Sequence, residues 1–441
     1  MTRPLTIALH AELLMNGFAG GVEQFLMSLI SALGRLDDGP ERYVLVARPD
    51  NEQRLAEVMG GSQRLVVRPR GHLREDIIRR LGRLAEVVYP WYSRAQFLLR
   101  GAAAFKTAES DGFLESLSCD VVHFPFQYFE NTRIPSIYNP HDLQHRHFPE
   151  FFTSAEVARR DVLHGTACRL ARVVAAESFA ARSDIIEQYG VPQERVVAIP
   201  RGAPTIFYRS PVPDDLGAIR RRYALPPRFM FYPAQFWPHK NHARLLSSLA
   251  TLRDGHGLVT HLVCTGRPAH DWPRVREQAR ALKLDEQVQF LGYVEPEHLR
   301  ALYRLADFLV LPSLFEGGGF PLLEAFQEGT PVTCSTATSL PEYGGEAVLL
   351  FDPHSSEGIA EAIQKMWCDA DLRQSLRARG TARAQLFTWE RTARTYRALY
   401  RKLAGQELSA EDADLLARSR QAGHLAQGAT VAPTPRHHAP G

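Results

Sequence analysis

The sequence predicts an α/β protein of two domains, each a parallel sheet covered by helices. Short apolar runs rich in β formers alternate with helical patterns along nearly the whole chain, and strands separated by helices pair in parallel. A length of 441 residues exceeds what one core usually fills. Between the halves, proline and glycine interrupt the pattern at Pro200-Arg-Gly-Ala-Pro204 and Ser210-Pro-Val-Pro-Asp-Asp215.

The strand runs follow in order. In the first half they are Leu5 to Leu9, Tyr43 to Ala47, Val121 to Phe124, Ser136 to Asn139, Val173 to Ala176 and Val196 to Pro200. In the second they are Phe229 to Tyr232, His261 to Thr265, Val288 to Leu291, Phe308 to Leu311, Val332 to Cys334 and Val348 to Phe351. The break places one domain at residues 1–205 and another at 206–386. A closing helix follows at 387–404, with Thr388 as N-cap before Trp389. Residues 405–441 turn to Ala, Gly, Pro, Gln and His without apolar periodicity and read as a disordered tail.

Composition excludes several classes. The chain is 45% apolar and 23% charged, as in ordinary globular proteins, and its formal charge of +3 is too small to imply a nucleic-acid partner. Cys119, Cys168, Cys264, Cys334 and Cys368 form no Cys-x-x-Cys pair, so neither a disulfide framework nor a zinc site is expected; they read as small buried residues in a reducing cytoplasm. The N-terminus lacks the apolar core of a signal peptide, and no stretch approaches the roughly 20 apolar residues of a membrane span. Membrane contact is expected to be peripheral, at the inner face.

The richest stretch is Leu314-Phe-Glu-Gly-Gly-Gly-Phe-Pro-Leu-Leu-Glu324. A strand runs into three glycines, then into a proline suited to a first helical turn. Bare backbone amides at a helix N-terminus cradle an anion such as phosphate. Helical side chains lean toward the N-terminus, so Glu324 points back at that ligand. Glu316 and Glu324 frame the loop. Carboxylates repel phosphate and favour hydroxyls, and a ligand with both phosphates and hydroxyls is a sugar nucleotide.

Here the sequence resembles the retaining glycosyltransferases of family 4, also called group 1, which have the GT-B fold. Their signature Pro-Ser-x-x-Glu-Gly-x-Gly-x-Pro-x-x-Glu-Ala is matched from Pro312 to Ala325, and the likeness continues through Gly329-Thr330-Pro331-Val332 and Ser339-Leu340-Pro341-Glu342. It covers roughly residues 5 to 404. The resemblance implies two Rossmann-like domains facing across a cleft, with the C-terminal helix crossing back to the N-terminal domain. It also implies a nucleotide-sugar donor, a saccharide or lipid-linked saccharide acceptor, and no cofactor or metal.

Ligands of open parallel sheets bind at the carboxyl ends of strands, and the remaining motifs lie there. Gly20 and Gly21 open a helix after the first strand and resemble the family's Gly-Gly-Val-Glu, which implies a contact to the donor diphosphate. His141 follows the strand Ser136 to Asn139. It resembles the histidine of the family's His-Asp-Leu segment, which lies against the transferred sugar. Asp142 either orients that loop or the His141 ring, or caps a helix or turn. His145 and His147 lack a ligand cluster and are not read as metal-binding.

After the strand Phe229 to Tyr232, Lys240 stands at a helix start, which the dipole disfavours unless an anion is near. It is one of only five lysines. The family's segment reads Gly-Arg-x-x-Pro-x-Lys, and here Gln235 replaces the arginine, so Arg267 or Arg201 is a candidate substitute. Tyr293 and Val294, in Phe290-Leu-Gly-Tyr-Val294, match a segment whose backbone meets the nucleotide base. Phosphate contacts fall to Gly318, Gly319 and Phe320.

Arg74, Arg79, Arg80, Arg83, Arg94 and Arg100, interleaved with Ile77, Ile78, Leu81, Leu84, Val88, Trp91 and Phe97, form a basic amphipathic segment. Either it packs its stripe on the core, the commoner arrangement, or it lies on an anionic membrane surface or beside a lipid-linked acceptor. The expected activity is transfer of a hexose from GDP-mannose or a UDP-hexose to a hydroxyl of a growing polysaccharide or lipid-linked glycan, with Glu316 and His141 catalytic. The alternative is a non-catalytic nucleotide-sugar-binding subunit of a polysaccharide assembly complex.

Overall fold

A computed structural model of the chain describes residues 4–12, 20–69, 99, 101, 105–207, 212 and 215–421. The arginines and apolar residues of the 74–100 segment named above lie outside that set, as do residues 422–441. The chain divides into two compact units. One holds residues up to Phe207 together with Thr388–Arg420, the other Tyr208–Phe387.

The first unit is built on a seven-stranded sheet. Its strands are β1 (Thr6–His10), β2 (Arg42–Ala47), β3 (Gln63–Val67), β5 (Val121–Phe124), β7 (Ser136–Tyr138), β8 (Val173–Ala176) and β9 (Val196–Ala198), in the order β3-β2-β1-β5-β7-β8-β9. All pairs are parallel. Two short strands, β4 (Ala108–Glu109) and β6 (Glu130–Asn131), pair separately. The second unit has six parallel strands, β10 (Met230–Pro233), β11 (Leu262–Thr265), β12 (Val288–Phe290), β13 (Phe308–Leu311), β14 (Val332–Ser335) and β15 (Val348–Phe351). Their order is β12-β11-β10-β13-β14-β15. Most central strands are buried at every position, as a parallel sheet covered on both faces requires.

Each sheet reverses direction once, between β1 and β5 in the first unit and between β10 and β13 in the second. In an open α/β sheet this reversal leaves the crevice where ligands bind, outside the carboxyl ends of the strands.

The helix Trp389–Leu403 follows the second unit in sequence but belongs to the first. Thr388 Oγ1 caps it by accepting from Arg391 N at 3.2 Å. Its inner face buries Ala393, Tyr396, Ala398, Leu399 and Tyr400 almost completely. A polar chain runs through this packing. Tyr400 Oη lies 2.7 Å from His123 Nδ1, His123 Nε2 lies 2.7 Å from Asn139 Oδ1, and Asn139 Nδ2 donates to Tyr396 Oη at 2.8 Å. Trp389 Nε1 donates to Ala203 O and Thr392 Oγ1 to Pro200 O. At the rim, Arg394 and Arg397 meet Asp38, and Arg401 meets Glu41. A fully buried apolar side chain contributes roughly 1.5–3 kcal/mol, so the packed face holds this helix, and ion pairs in which Arg397, Arg401 and Glu41 are themselves largely buried tie it further to the first unit.

Part of the expected disordered tail is helical. Ala410–Arg418 forms a helix whose Ser409 and Asp412 make a reciprocal capping box. Asp412 also pairs with Arg401 at 2.9 Å, Leu416 is buried, and Ser419 O accepts from Ala198 N on β9. These anchors are tertiary, so local composition did not reveal them. Cys168, Cys264 and Cys334 are buried as expected, Cys119 is half-buried, and Cys368 is exposed.

Candidate active site

In the second unit the two strands flanking the reversal deliver the main candidates. β10 leads to Gln235 and Lys240, and β13 leads to Glu316. The two loops are knitted together by buried bonds. Asn241, with φ +60°, donates through Nδ2 to both Pro312 O and Pro353 O at 2.9 Å. Tyr232 Oη donates to Lys240 O at 2.7 Å, and Leu314 N to His239 O at 2.8 Å. Lys240 Nζ thereby sits 2.6 Å from Glu316 Oε1, with both side chains largely buried. The anion beside Lys240 in this structure is therefore the Glu316 carboxylate.

Beside Lys240, four further hydrogen bonds hold Glu316. Ser313 Oγ donates to the same Oε1 at 2.7 Å. Thr338 Oγ1 accepts from Glu316 N at 2.8 Å and donates to Glu316 O at 2.7 Å, and Ser339 Oγ donates to that carbonyl at 2.8 Å. Ser339 lay in a motif already noted, whereas Thr338, with φ +47°, carried no signal in the sequence.

The glycine loop ends at Gly319, in the left-handed region with φ +54° and ψ +42°, where glycine is favoured. The helix Phe320–Gln327 starts there with Pro321 in its first turn. Leu322 N closes its first turn onto Gly319 O at 3.0 Å. Glu324 is buried, and its Oε2 accepts from Tyr303 Oη at 2.8 Å, a partner the sequence did not suggest.

Gln235, Tyr293 and Val294 cluster through the loop after β11. Gly266 N donates to Gly292 O at 2.8 Å, and a Cβ on Gly266 would fall 2.2 Å from Ala234 O. The Arg267 guanidinium lies over the Tyr293 ring at 4.9 Å. Tyr293 and Trp237 are exposed, and Val294 is buried. Gln235 Oε1 accepts from Trp237 Nε1 at 2.9 Å. Burial pushes His242 down to about 3, with Lys240 adding to the shift, and pushes His239 well below its ordinary range. Both are neutral at pH 7.

The other candidates lie in the first unit. Gly20 caps the helix Gly21–Gly34, and Gln24 N donates to its carbonyl. His141 follows β7 with φ +64°, a strained value for a residue with a Cβ. Its ring packs edge-on against Phe25 at 5.2 Å. Nδ1 lies 2.5 Å from Glu177 Oε1, and Nε2 lies 3.0 Å from Pro125 O. Arg201, a suggested phosphate substitute, donates from Nη1 to that same Glu177 Oε1 at 2.8 Å. Of the two readings for Asp142, the turn is the one observed, with Oδ1 accepting from Gln144 N. His145 and His147 pair with Asp161 and Asp184. Among the described residues no group of three or more His, Cys, Asp or Glu side chains is placed to hold a metal.

Family models match both units. Residues 19–206 match Glycosyltransferase Family 4, and residues 218–383 match Glycosyl transferases group 1. The chain belongs to this glycosyltransferase family. Among curated relatives, this glycosyltransferase is 29% identical over 275 residues to the O-antigen chain mannosyltransferase B of Escherichia coli, covering 61% of this chain and 71% of that protein. It is 27% identical over 330 residues to the serotype-specific mannosyltransferase WbdA of Escherichia coli, covering 72% of this chain and 38% of WbdA. The match thus spans well under half of WbdA's length. Among solved structures it resembles that of Anabaena HepE in complex with UDP and glucose, with a TM-score of 0.63 at 20% identity over 90% of this chain and all of the other, a likeness of fold. Among the described residues of the glycosyltransferase no helix is long and apolar enough to cross a membrane.

Proposed function

We propose that this chain is a retaining glycosyltransferase moving a hexose from a nucleoside diphosphate sugar to a hydroxyl of a saccharide or lipid-linked saccharide, in the cytoplasm or at the inner face of the membrane. The observation carrying this reading is the meeting of Lys240 and Glu316 at the strand reversal, beside the glycine-capped start of the helix Phe320–Gln327. Lys240 and the amides at Gly318, Gly319 and Phe320 take the diphosphate, Glu316 the hexose hydroxyls, and Glu324 the ribose hydroxyls. Tyr293 and Val294 flank the base, Gln235 lines the donor loop, and Gly20 and Gly21 serve the diphosphate. Mannose is the favoured sugar, because relatives of this chain are mannosyltransferases.

In the reaction the bond from the anomeric carbon to the phosphate oxygen breaks with its electron pair staying on phosphate. The acceptor oxygen bonds to the same face of that carbon, and its proton passes to the departing phosphate. Lys240 and preorganised amides stabilise the charge where it develops, so this scheme requires no metal. His141 steadies the sugar as oxocarbenium character develops.

The test is thermal stabilisation by GDP-mannose and UDP-glucose, joined to nucleotide release without acceptor. Stabilisation with release is the expected result, and neither effect with any hexose donor overturns the proposal. A second reading, a non-catalytic nucleotide-sugar-binding subunit, draws on Gln235 standing where the family has arginine. Stabilisation without release or transfer would favour it.

A further inference from the structure

The first unit contains a buried charge cluster that the proposed chemistry leaves unexplained. Glu177, directly after β8, is 2% exposed, and its Oε1 is shared by His141 Nδ1 and Arg201 Nη1. His141 and Arg201 are 4% and 6% exposed, so water screens none of the three effectively. A carboxylate buried this deeply is tolerated only when paired. Burial alone would raise the Glu177 carboxyl, but Arg201 and His141 outweigh it and hold the group below its ordinary range. The carboxylate is thus held between Arg201 and His141.

His141 is fixed in turn. Both its ring nitrogens lie against oxygens, Nδ1 against Glu177 Oε1 and Nε2 against Pro125 O, so the ring is held at both ends. Phe25 closes one side of the ring. The backbone at His141 sits at φ +64°, a conformation that costs of order 1–3 kcal/mol and persists only where the surroundings impose it. The neighbouring polar side chains Asp142 and His123 are engaged elsewhere. Asp142 engages Gln144 N, and His123 engages Asn139 and Tyr400.

We propose that Glu177 is a positioning residue, which, braced by Arg201, fixes the ring of His141 and through it the strained backbone presented at the end of β7. The inference rests on the reading that His141 meets the transferred sugar. Glu177 acts through His141 and touches no substrate.

The test compares Glu177→Gln, His141→Ala and the double variant in steady-state transfer, with melting temperature measured alongside. Glu177→Gln keeps size and removes charge, and it is expected to lower kcat at least tenfold while donor KM stays within threefold, because the donor contacts proposed above lie mostly in the second unit. The double variant is expected to be no slower than His141→Ala alone, since residues acting as one unit are not additive. Wild-type turnover in Glu177→Gln, or losses that multiply in the double variant, would overturn the proposal. If Glu177→Gln fails to fold, Arg201→Met replaces it, with a smaller fall in kcat expected at unchanged donor KM and unchanged turnover counting against the proposal. A fully active His141→Ala would instead sink the underlying reading of His141.

Discussion

Lys240 Nζ lies 2.6 Å from Glu316 Oε1, so the cation proposed for the donor phosphate and the carboxylate proposed for the sugar hydroxyls hold each other. A nucleotide must draw Lys240 away from that carboxylate, and the same carboxylate repels a free diphosphate after transfer. A hydrogen bond to a charged group is worth about 1.5–3 kcal/mol. Glu316→Gln is therefore expected to abolish transfer while binding free nucleoside diphosphate roughly three- to tenfold more tightly, about 0.7–1.4 kcal/mol. Titration calorimetry with GDP and UDP on the variant checks this. Unchanged or weaker binding would show that the pair does not restrain Lys240.

Lys240→Ala removes the charge that stabilises the departing phosphate. Losing one preorganised donor of this kind typically lowers kcat by a hundredfold or more. A fall of that size together with a raised donor KM is expected. Unchanged donor affinity would argue against any phosphate contact.

Two glycines separate strain from space. Gly319 sits at φ +54°, and a Cβ there would meet the Leu340 side chain at 3.2 Å and Leu322 Cβ at an ordinary 3.9 Å. Gly319→Ala is expected to cost about 1–2 kcal/mol through its left-handed backbone, with weakened donor binding. Gly266, at φ +140°, would drive a Cβ to within 2.2 Å of the Ala234 backbone oxygen, which cannot rotate aside. Gly266→Ala should be clearly the more destabilising in urea denaturation. The reverse order would mean that the β10 loop yields more easily than its packing implies.

The sequence revealed the fold through alternating apolar runs, because parallel strands buried on both faces leave that trace directly. The loop from Glu316 to Glu324 was legible because glycine, proline and carboxylate each have few other reasons to share a turn. Tyr303 on Glu324, Thr338 on Glu316 and Glu177 on His141 were not legible. Each reaches its partner from another element, and a partner at a sequence distance of 21 to 36 residues leaves no local pattern. The helix Ala410–Arg418 was missed for a similar reason, since its anchors are Arg401 and β9.

The polar chain under the C-terminal helix is open to test by deleting one oxygen. Asn139 Oδ1 accepts from His123 Nε2, which leaves His123 Nδ1 to accept from Tyr400 Oη. Tyr400→Phe strands that nitrogen in a fully buried place, at a cost of about 1–3 kcal/mol. Urea unfolding should show this loss. A change below about 0.5 kcal/mol would indicate that water or another group replaces the hydroxyl.

Acid should weaken both units through their buried histidines. Burial holds His123 and His145 at about 4 and His242 at about 3, against an ordinary value near 6.5. These are bases depressed in the folded state, so the unfolded chain takes up the proton first. Their contribution is complete above pH 6.5 and declines as pH falls toward 4, by up to about 1.4 kcal/mol per pH unit for each group. His242 isolates the effect, because its ring packs against Tyr232 and Phe236 and neither nitrogen has a hydrogen-bond partner. His242→Phe keeps an aromatic ring there and removes the titration. It is expected to match or exceed wild-type stability at pH 7 and to lose less between pH 6.5 and 4, as read from urea midpoints across that range. A variant whose stability falls in parallel with wild type would show that His242 does not take part in the acid response.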